Sequence, residues 1–186
     1  MTLAPAPSLL ELDGYRLHRM ANADLPFVLE LQRKGANRLL VDFPASAEDS
    51  LAFLQRLEKQ PWSVLMVAEA AGVPIGAAAT GLTNLVSLNT FLLAMFVDPG
   101  AASIPLALVT RHLFWNFPLE RIYVQFPLLE ETRPYGQLYE SAGFQREGVM
   151  RKHQAIGGQR HDVVVLGLLR SDFDRWWADR DPRLAL

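Results

Sequence analysis

The sequence predicts an α+β (α/β layered) domain: a mixed, mostly antiparallel central sheet of about seven strands flanked by helices. Three observations predict it. An early pair of helical stripes is followed by a run of period-two segments separated by short turns, which reads as an antiparallel meander. After it, strand-length and helix-length segments alternate. A long hairpin with a Gly-Gly turn then closes the chain before a last helix. The element order β-α-α-β-β-β-α-β-α-β-β-α needs a sheet covered by helices.

Residues 1–14, with Pro and Ala but no clear period, are expected to be an N-terminal arm. "YRLHRM" (Tyr15–Met20) alternates and is the first expected strand. In "NADLPFVLELQRKG", Leu25, Val28, Leu29 and Gln32 form a helical stripe, and Gly35 is a stop signal. A second helix follows in "PASAEDSLAFLQRLEKQ". Ser46 suits its N-cap, and Glu48 and Asp49 lie in the first turn, where the helix dipole favours acids. "WSVLMVAEA", "IGAAATGL" and "SLNTFLLAMFV" make the meander. "FVDPGAASIPLALVTRHLF" ends a strand, turns through small residues and becomes an apolar helix from about Ser103 to Trp115. "RIYVQFP" is a fifth strand, and "ETRPYGQLYESAGF" is a helix with a Gly stop at Gly143. "FQREGVMRKHQAI", "GGQ" and "RHDVVVLGLL" make the hairpin, and "RSDFDRWWADR" is a terminal helix with Ser171 at its start. One domain is expected over residues 15–175, with 176–186 as a C-terminal tail.

The 186 residues suffice for one domain with a real core. The formal net charge of -2 gives no electrostatic footprint for nucleic acid. The absence of cysteine excludes disulfides, thiolate nucleophiles and Cys-based metal sites, and fits a cytoplasmic location. No apolar run has the length of a bilayer span, and the N-terminus has no signal-peptide pattern. His18, His112, His153 and His161 lack zinc-type spacing, so no metal is expected. His112 is expected on a helix surface, and His153 and His161 facing each other across the hairpin.

The segment "LYESAGFQREGVMRKHQAIGGQRHDVVVLGLLRSDF", Leu138 to Phe173, resembles the GCN5-related N-acetyltransferase superfamily. It looks most like the branch that acetylates ribosomal-protein N-termini, together with small-molecule and antibiotic-modifying relatives. The order of elements extends the resemblance over about residues 15–175. The resemblance implies an acetyl-CoA co-substrate lying in a V-shaped gap between the fourth strand (Ser87–Val97) and the fifth (Arg121–Phe126). It implies a pyrophosphate held on backbone N–H groups of the loop after the fourth strand. It also implies direct attack of a primary amine on the thioester, the amine belonging to a small molecule, a peptide or a protein N-terminus. No nucleic-acid or membrane partner is implied. Relatives are often dimers, which leaves a homodimer open.

Carried onto this chain, the pattern puts Tyr139 as the donor to the departing thiolate, since it is the Tyr of "LYE". Glu130 and Glu131, just past the fifth strand, are candidate general bases, or else favourable acids at a helix start. Asp98 is another acid beside the gap, or the closer of a "DPG" turn. Met95, Phe96 and Val97 would offer backbone groups to the pantetheine arm and the acetyl carbonyl. Thr132 stands where relatives carry an Asn on the cofactor arm, and is alternatively a helix N-cap. Arg133 and Arg121 could meet the cofactor's 3′-phosphate. Asn37 and Asp42 could recognise the acceptor amine or be plain loop residues. Trp176 and Trp177 are expected to pack the terminal helix.

The pyrophosphate loop departs from the family pattern "R/Q-x-x-G-x-G/A". Here it reads "PGAAS", with one glycine and no positive charge. Two readings follow. Either Gly100, with φ > 0, Ala101, Ala102, Ser103 and Ile104 still cradle pyrophosphate on the helix N-terminus, or CoA binding is lost. In the second case the protein is a non-catalytic binding or regulatory protein, or takes another thioester or an aminoacyl donor.

Overall fold

The computed structural model describes residues 8–40, 46–60 and 62–180. Among these residues one open sheet contains eight strands: β1 (Ser8–Leu12), β2 (Tyr15–Arg19), β3 (Leu65–Ala70), β4 (Val73–Asn84), β5 (Asn89–Phe96), β6 (Arg121–Pro127), β7 (Gln145–Ile156) and β8 (Gln159–Leu169). Their order is β1-β2-β3-β4-β5-β6-β8-β7. Every pairing is antiparallel except β5 with β6. Among the described residues, six α-helices accompany it: α1 (Leu25–Leu31), α2 (Asn37–Leu40), α3 (Ala47–Glu58), α4 (Ser103–Asn116), α5 (Arg133–Ser141) and α6 (Arg170–Arg180).

The eighth strand corrects the expected arm. Ser8–Leu12 pairs with β2 through a tight hairpin at Asp13 and Gly14, with φ of 49° and 82°. Asp-Gly is the turn pair that reverses a chain in two residues, and it marks this hairpin in the sequence. The expected tail is also shortened, because α6 runs on to Arg180. Its aromatic residues anchor it: Phe173 and Trp177 are buried, with ring centroids 5.5 Å apart.

Helices α1 and α3 pack on β4, and α4 packs across β1, β2 and β3. Ten successive residues of α4, Pro105 to Phe114, are buried, so the expected surface position of His112 is wrong; it is 6% exposed. Arg111 of this helix lies 3.7 Å from the Trp115 ring centroid and 5.0 Å from that of Trp177, tying α4 to α6. Arg170 locks the end of α4 to the start of α6. Its guanidinium donates to the carbonyls of Phe114 (2.6 Å), Phe117 (2.9 Å) and Leu119 (2.8 Å).

The β7–β8 hairpin turns at Gly157 and Gly158, with φ of 57° and 79°, as two-residue hairpins require. A bulge between Met150 and Gln154 shifts the register, so His161 pairs with Gln154. His153 and His161 therefore do not face each other as expected. Gln154 reaches back to the Leu39 carbonyl at 3.2 Å and fastens the hairpin to α2.

Candidate functional site

The parallel pair β5–β6 is a wedge. It is joined over only three positions, Asn89↔Arg121, Thr90↔Ile122 and Phe91↔Tyr123. Beyond them β5 continues beside β4 as far as Phe96, while β6 continues beside β8 as far as Pro127. The strands thus part toward the loop that joins β5 to α4. These are the expected fourth and fifth strands, renumbered by the extra strand at the N-terminus.

Alternation decides which backbone groups face the opening. The Val97 N–H bonds the Ile75 carbonyl at 2.9 Å, which turns Val97, and by the period of two Met95, toward β4. Phe96 and Ala94 point the other way, into the wedge. Of the expected contacts Met95, Phe96 and Val97, only Phe96 therefore presents its N–H and C=O to the gap.

Two tyrosines of α5 fill that space. Tyr135 and Tyr139 are four residues apart, which places them on one helix face, and both are buried. The Tyr135 hydroxyl accepts the Phe96 N–H at 2.8 Å and donates to the side-chain oxygen of Asn37. The Asn37 amide nitrogen in turn donates to the Phe96 carbonyl at 3.1 Å and to the Leu31 carbonyl at 3.0 Å. Tyr139 packs against Phe126, Tyr135 and Phe144, with centroids 5.9, 6.2 and 5.2 Å away. Burial raises its phenol pKa strongly, the neighbouring Tyr135 adds to the rise, and a hydrogen bond with the Ala94 backbone pulls weakly the other way. Burial likewise raises Tyr135. Both phenols hold their protons at neutral pH, so Tyr139 keeps the form a proton donor needs.

Sequence reasoning missed Tyr135 and left Asn37 open between an amine-recognising residue and a plain loop residue. Asn37 lies in α2 and is 3% exposed, so it is a buried bonding partner and not an open amine receptor. The spacing of Tyr135 to Tyr139 was the available signal. Asp42 lies outside the described residues.

The loop after β5 is a single 3-10 turn, Pro99–Ala101. Asp98 caps it, accepting the Gly100 N–H at 2.8 Å, so its turn-closing reading is the observed one. The Ala101 N–H bonds the Asp98 carbonyl and the Ala102 N–H the Pro99 carbonyl, each at 3.3 Å. Gly100 is not among the positive-φ residues, which corrects the expected backbone. The N–H groups of Gly100, Ala101 and Ala102 are thus bonded within the loop. Ser103 and Ile104 begin α4, ahead of the Leu106 N–H bond to the Ala102 carbonyl.

The remaining candidates separate from the wedge. Glu130 forms an ion pair with Arg133 at 2.7 Å, both well exposed. The two residues line an outer groove of about 420 Å³ with Gly136, Gln137, Glu140 and Arg146, and neither tyrosine lines it. Glu131 is exposed. Thr132 is buried at the N-cap of α5 without a side-chain cap bond. Its hydroxyl donates instead to the carbonyls of Pro127 (2.5 Å) and Leu129 (3.0 Å), which occupies the group expected on the cofactor arm. Arg121 sits at the joined end of the wedge, paired with Glu147, and is removed from the loop end where a phosphate would lie.

Among the described residues, no group of three or more His, Cys, Asp or Glu side chains could hold a metal ion. No helix among them is long and apolar enough to cross a membrane.

No family model and no curated protein matches the sequence. Solved structures do match. A crystal structure named only provisionally as an acetyltransferase aligns with a TM-score of 0.75 at 24% identity, over 98% of this chain and 96% of that one. The spermidine N-acetyltransferase of Vibrio cholerae, in complex with CoA and spermine, aligns with a TM-score of 0.73 at 20% identity, over 87% of this chain and 99% of that one. A mutant of the same enzyme aligns with a TM-score of 0.75 at 20% identity, over 87% and 97%. Near-complete coverage on both sides, with a sheet splayed at one parallel pair, shows that this chain has the GCN5-related N-acetyltransferase fold.

Proposed function

We propose that the protein is an N-acyltransferase that moves an acetyl or related acyl group from its CoA thioester to a primary amine. The observation that carries the reading is Tyr139, a protonated phenol held inside the β5–β6 wedge against the Ala94 backbone. In this reading the amine nitrogen attacks the thioester carbonyl. The C–N bond forms, the C–S bond breaks, and the amine's proton leaves to water or to Glu131. The departing thiolate takes its proton from Tyr139. Phe96 lends its N–H and C=O to the donor arm, and the N–H groups of Ser103 and Ile104 at the α4 N-terminus receive the pyrophosphate. Arg133, at the start of α5, the helix that packs against the Pro99–Ala101 turn, is the cation proposed for a distal phosphate. A small polyamine is the first acceptor to try, because one structural neighbour is a spermidine N-acetyltransferase bound to spermine. A protein N-terminus is the second, on the resemblance of the C-terminal third.

The test is turnover by the full chain with acetyl-CoA and a panel of spermidine, spermine and a peptide with a free N-terminus. Amine-dependent release of free CoA thiol is expected. No release with any amine, at enzyme concentrations that would detect one turnover, overturns the reading.

A second reading has its own observation. The Phe96 backbone groups and three loop N–H groups are already bonded within the protein, which suits a non-catalytic binding protein. That reading predicts no heat on mixing with acetyl-CoA.

A further inference from the structure

We propose that Tyr135 and Asn37 form a latch that closes the donor wedge from within and must open before an acyl-CoA can enter. The inference rests on the donor site proposed above and concerns its regulation. Its basis is a closed hydrogen-bond ring. The Tyr135 hydroxyl takes the Phe96 N–H, the Asn37 amide takes the Phe96 C=O, and the hydroxyl and the amide oxygen bond each other. This pair satisfies one residue of a free strand edge as a neighbouring strand or an extended amide chain would. The pantetheine arm of CoA is such a chain, with its own secondary amides. Arm and latch therefore compete for the same two backbone groups.

The latch is built rather than incidental. Tyr135 is 0% exposed and Asn37 3% exposed, and the second amide hydrogen of Asn37 is bonded to Leu31. A buried polar ring with each member bonded specifies one geometry and resists opening, since a released member would lie buried without a partner. Binding that must first open such a ring is weakened by the fraction of molecules in which it is open.

The experiment compares acetyl-CoA binding by the wild-type chain, Tyr135→Phe and Asn37→Ala, using isothermal titration. Amide hydrogen exchange at Phe96 is followed in parallel, and thermal melts confirm that each variant folds. Tyr135→Phe keeps the ring volume and removes only the hydroxyl. The latch predicts faster exchange at Phe96 in this variant, and acetyl-CoA association on the order of tenfold tighter in each variant. Equal or weaker binding by both folded variants, beside measurable wild-type binding, overturns the latch and leaves the donor site standing. Binding by none of the three overturns the donor site itself. Unchanged exchange at Phe96 in Tyr135→Phe overturns the latch whatever the titration shows.

Discussion

The hydroxyl of Tyr135 accepts the backbone N–H of Phe96 at 2.8 Å, across the gap where the two parallel strands of the sheet part company. A helix side chain thus takes the place that a strand would take further down the sheet. The wedge exists because β6 leaves β5 after Tyr123 and follows β8 instead. Its aromatic filling exists because α5 carries Tyr135 and Tyr139 one turn apart.

Replacing Tyr139 by Phe is expected to lower the rate of acyl transfer by about 10²-fold or more, the usual contribution of a positioned acid. The fold should survive, because the ring contacts with Phe126 and Phe144 remain. Steady-state rates and a thermal melt check both parts. An unchanged rate removes Tyr139 from the chemistry.

Gly76 faces Phe96 across the β4–β5 ladder, and a Cβ added there would lie 2.3 Å from the Phe96 ring. Gly76→Ala must therefore displace the Phe96 ring. Overpacking of this kind costs about 1–3 kcal/mol. Chemical denaturation is expected to show a lower midpoint, and a neutral result would mean that the strand pair yields freely.

Sequence reasoning reached the layered class, the order of the strands and the helix after each of the fourth and fifth, because period and turn chemistry carry those features locally; the gap between those two strands came only from the family resemblance, and their parallel pairing is seen in the structure. The β1 strand was missed although Asp13–Gly14 signals its hairpin, since five residues among Pro and Ala show too little alternation. The functional consequence of Tyr135 was not legible. Its hydroxyl meets a residue from α2, at a sequence separation of 98, and no local pattern reports that meeting. The loop was legible only as a deviation. Its missing Lys or Arg was plain, but that Asp98 and Pro99 satisfy the loop N–H groups emerged from the backbone path.

Arg170 offers a stability test away from the site. Its guanidinium satisfies three carbonyls where α4 gives way to β6, so Arg170→Ala leaves Phe114, Phe117 and Leu119 without that donor. A loss of about 3 kcal/mol is expected from bonds to a charged group. Lys at this position recovers only part of it, having no planar fork. Equilibrium unfolding of both variants provides the check.

The β2–β3 pair carries a pH dependence. Glu69 is bonded to Arg16 at 2.8 Å and lies 3.3 Å from His18, and the Arg16 bond is the main cause holding its carboxyl below the ordinary value, against desolvation. A depressed folded pKa gives stability that is present above the unfolded value of about 4.3 and is lost as pH falls through the folded value. Denaturation midpoints should therefore fall on acidification below about pH 4.5, and Glu69→Gln should flatten that part of the curve. An equal acid slope in both proteins would assign the effect elsewhere.

Isothermal titration of the full chain with acetyl-CoA tests the central claim most directly, namely that the β5–β6 wedge is a donor site. The account predicts a saturable heat that is abolished by an excess of CoA and strengthened in Tyr135→Phe. No heat at millimolar acetyl-CoA, in the wild type and in Tyr135→Phe alike, would contradict it.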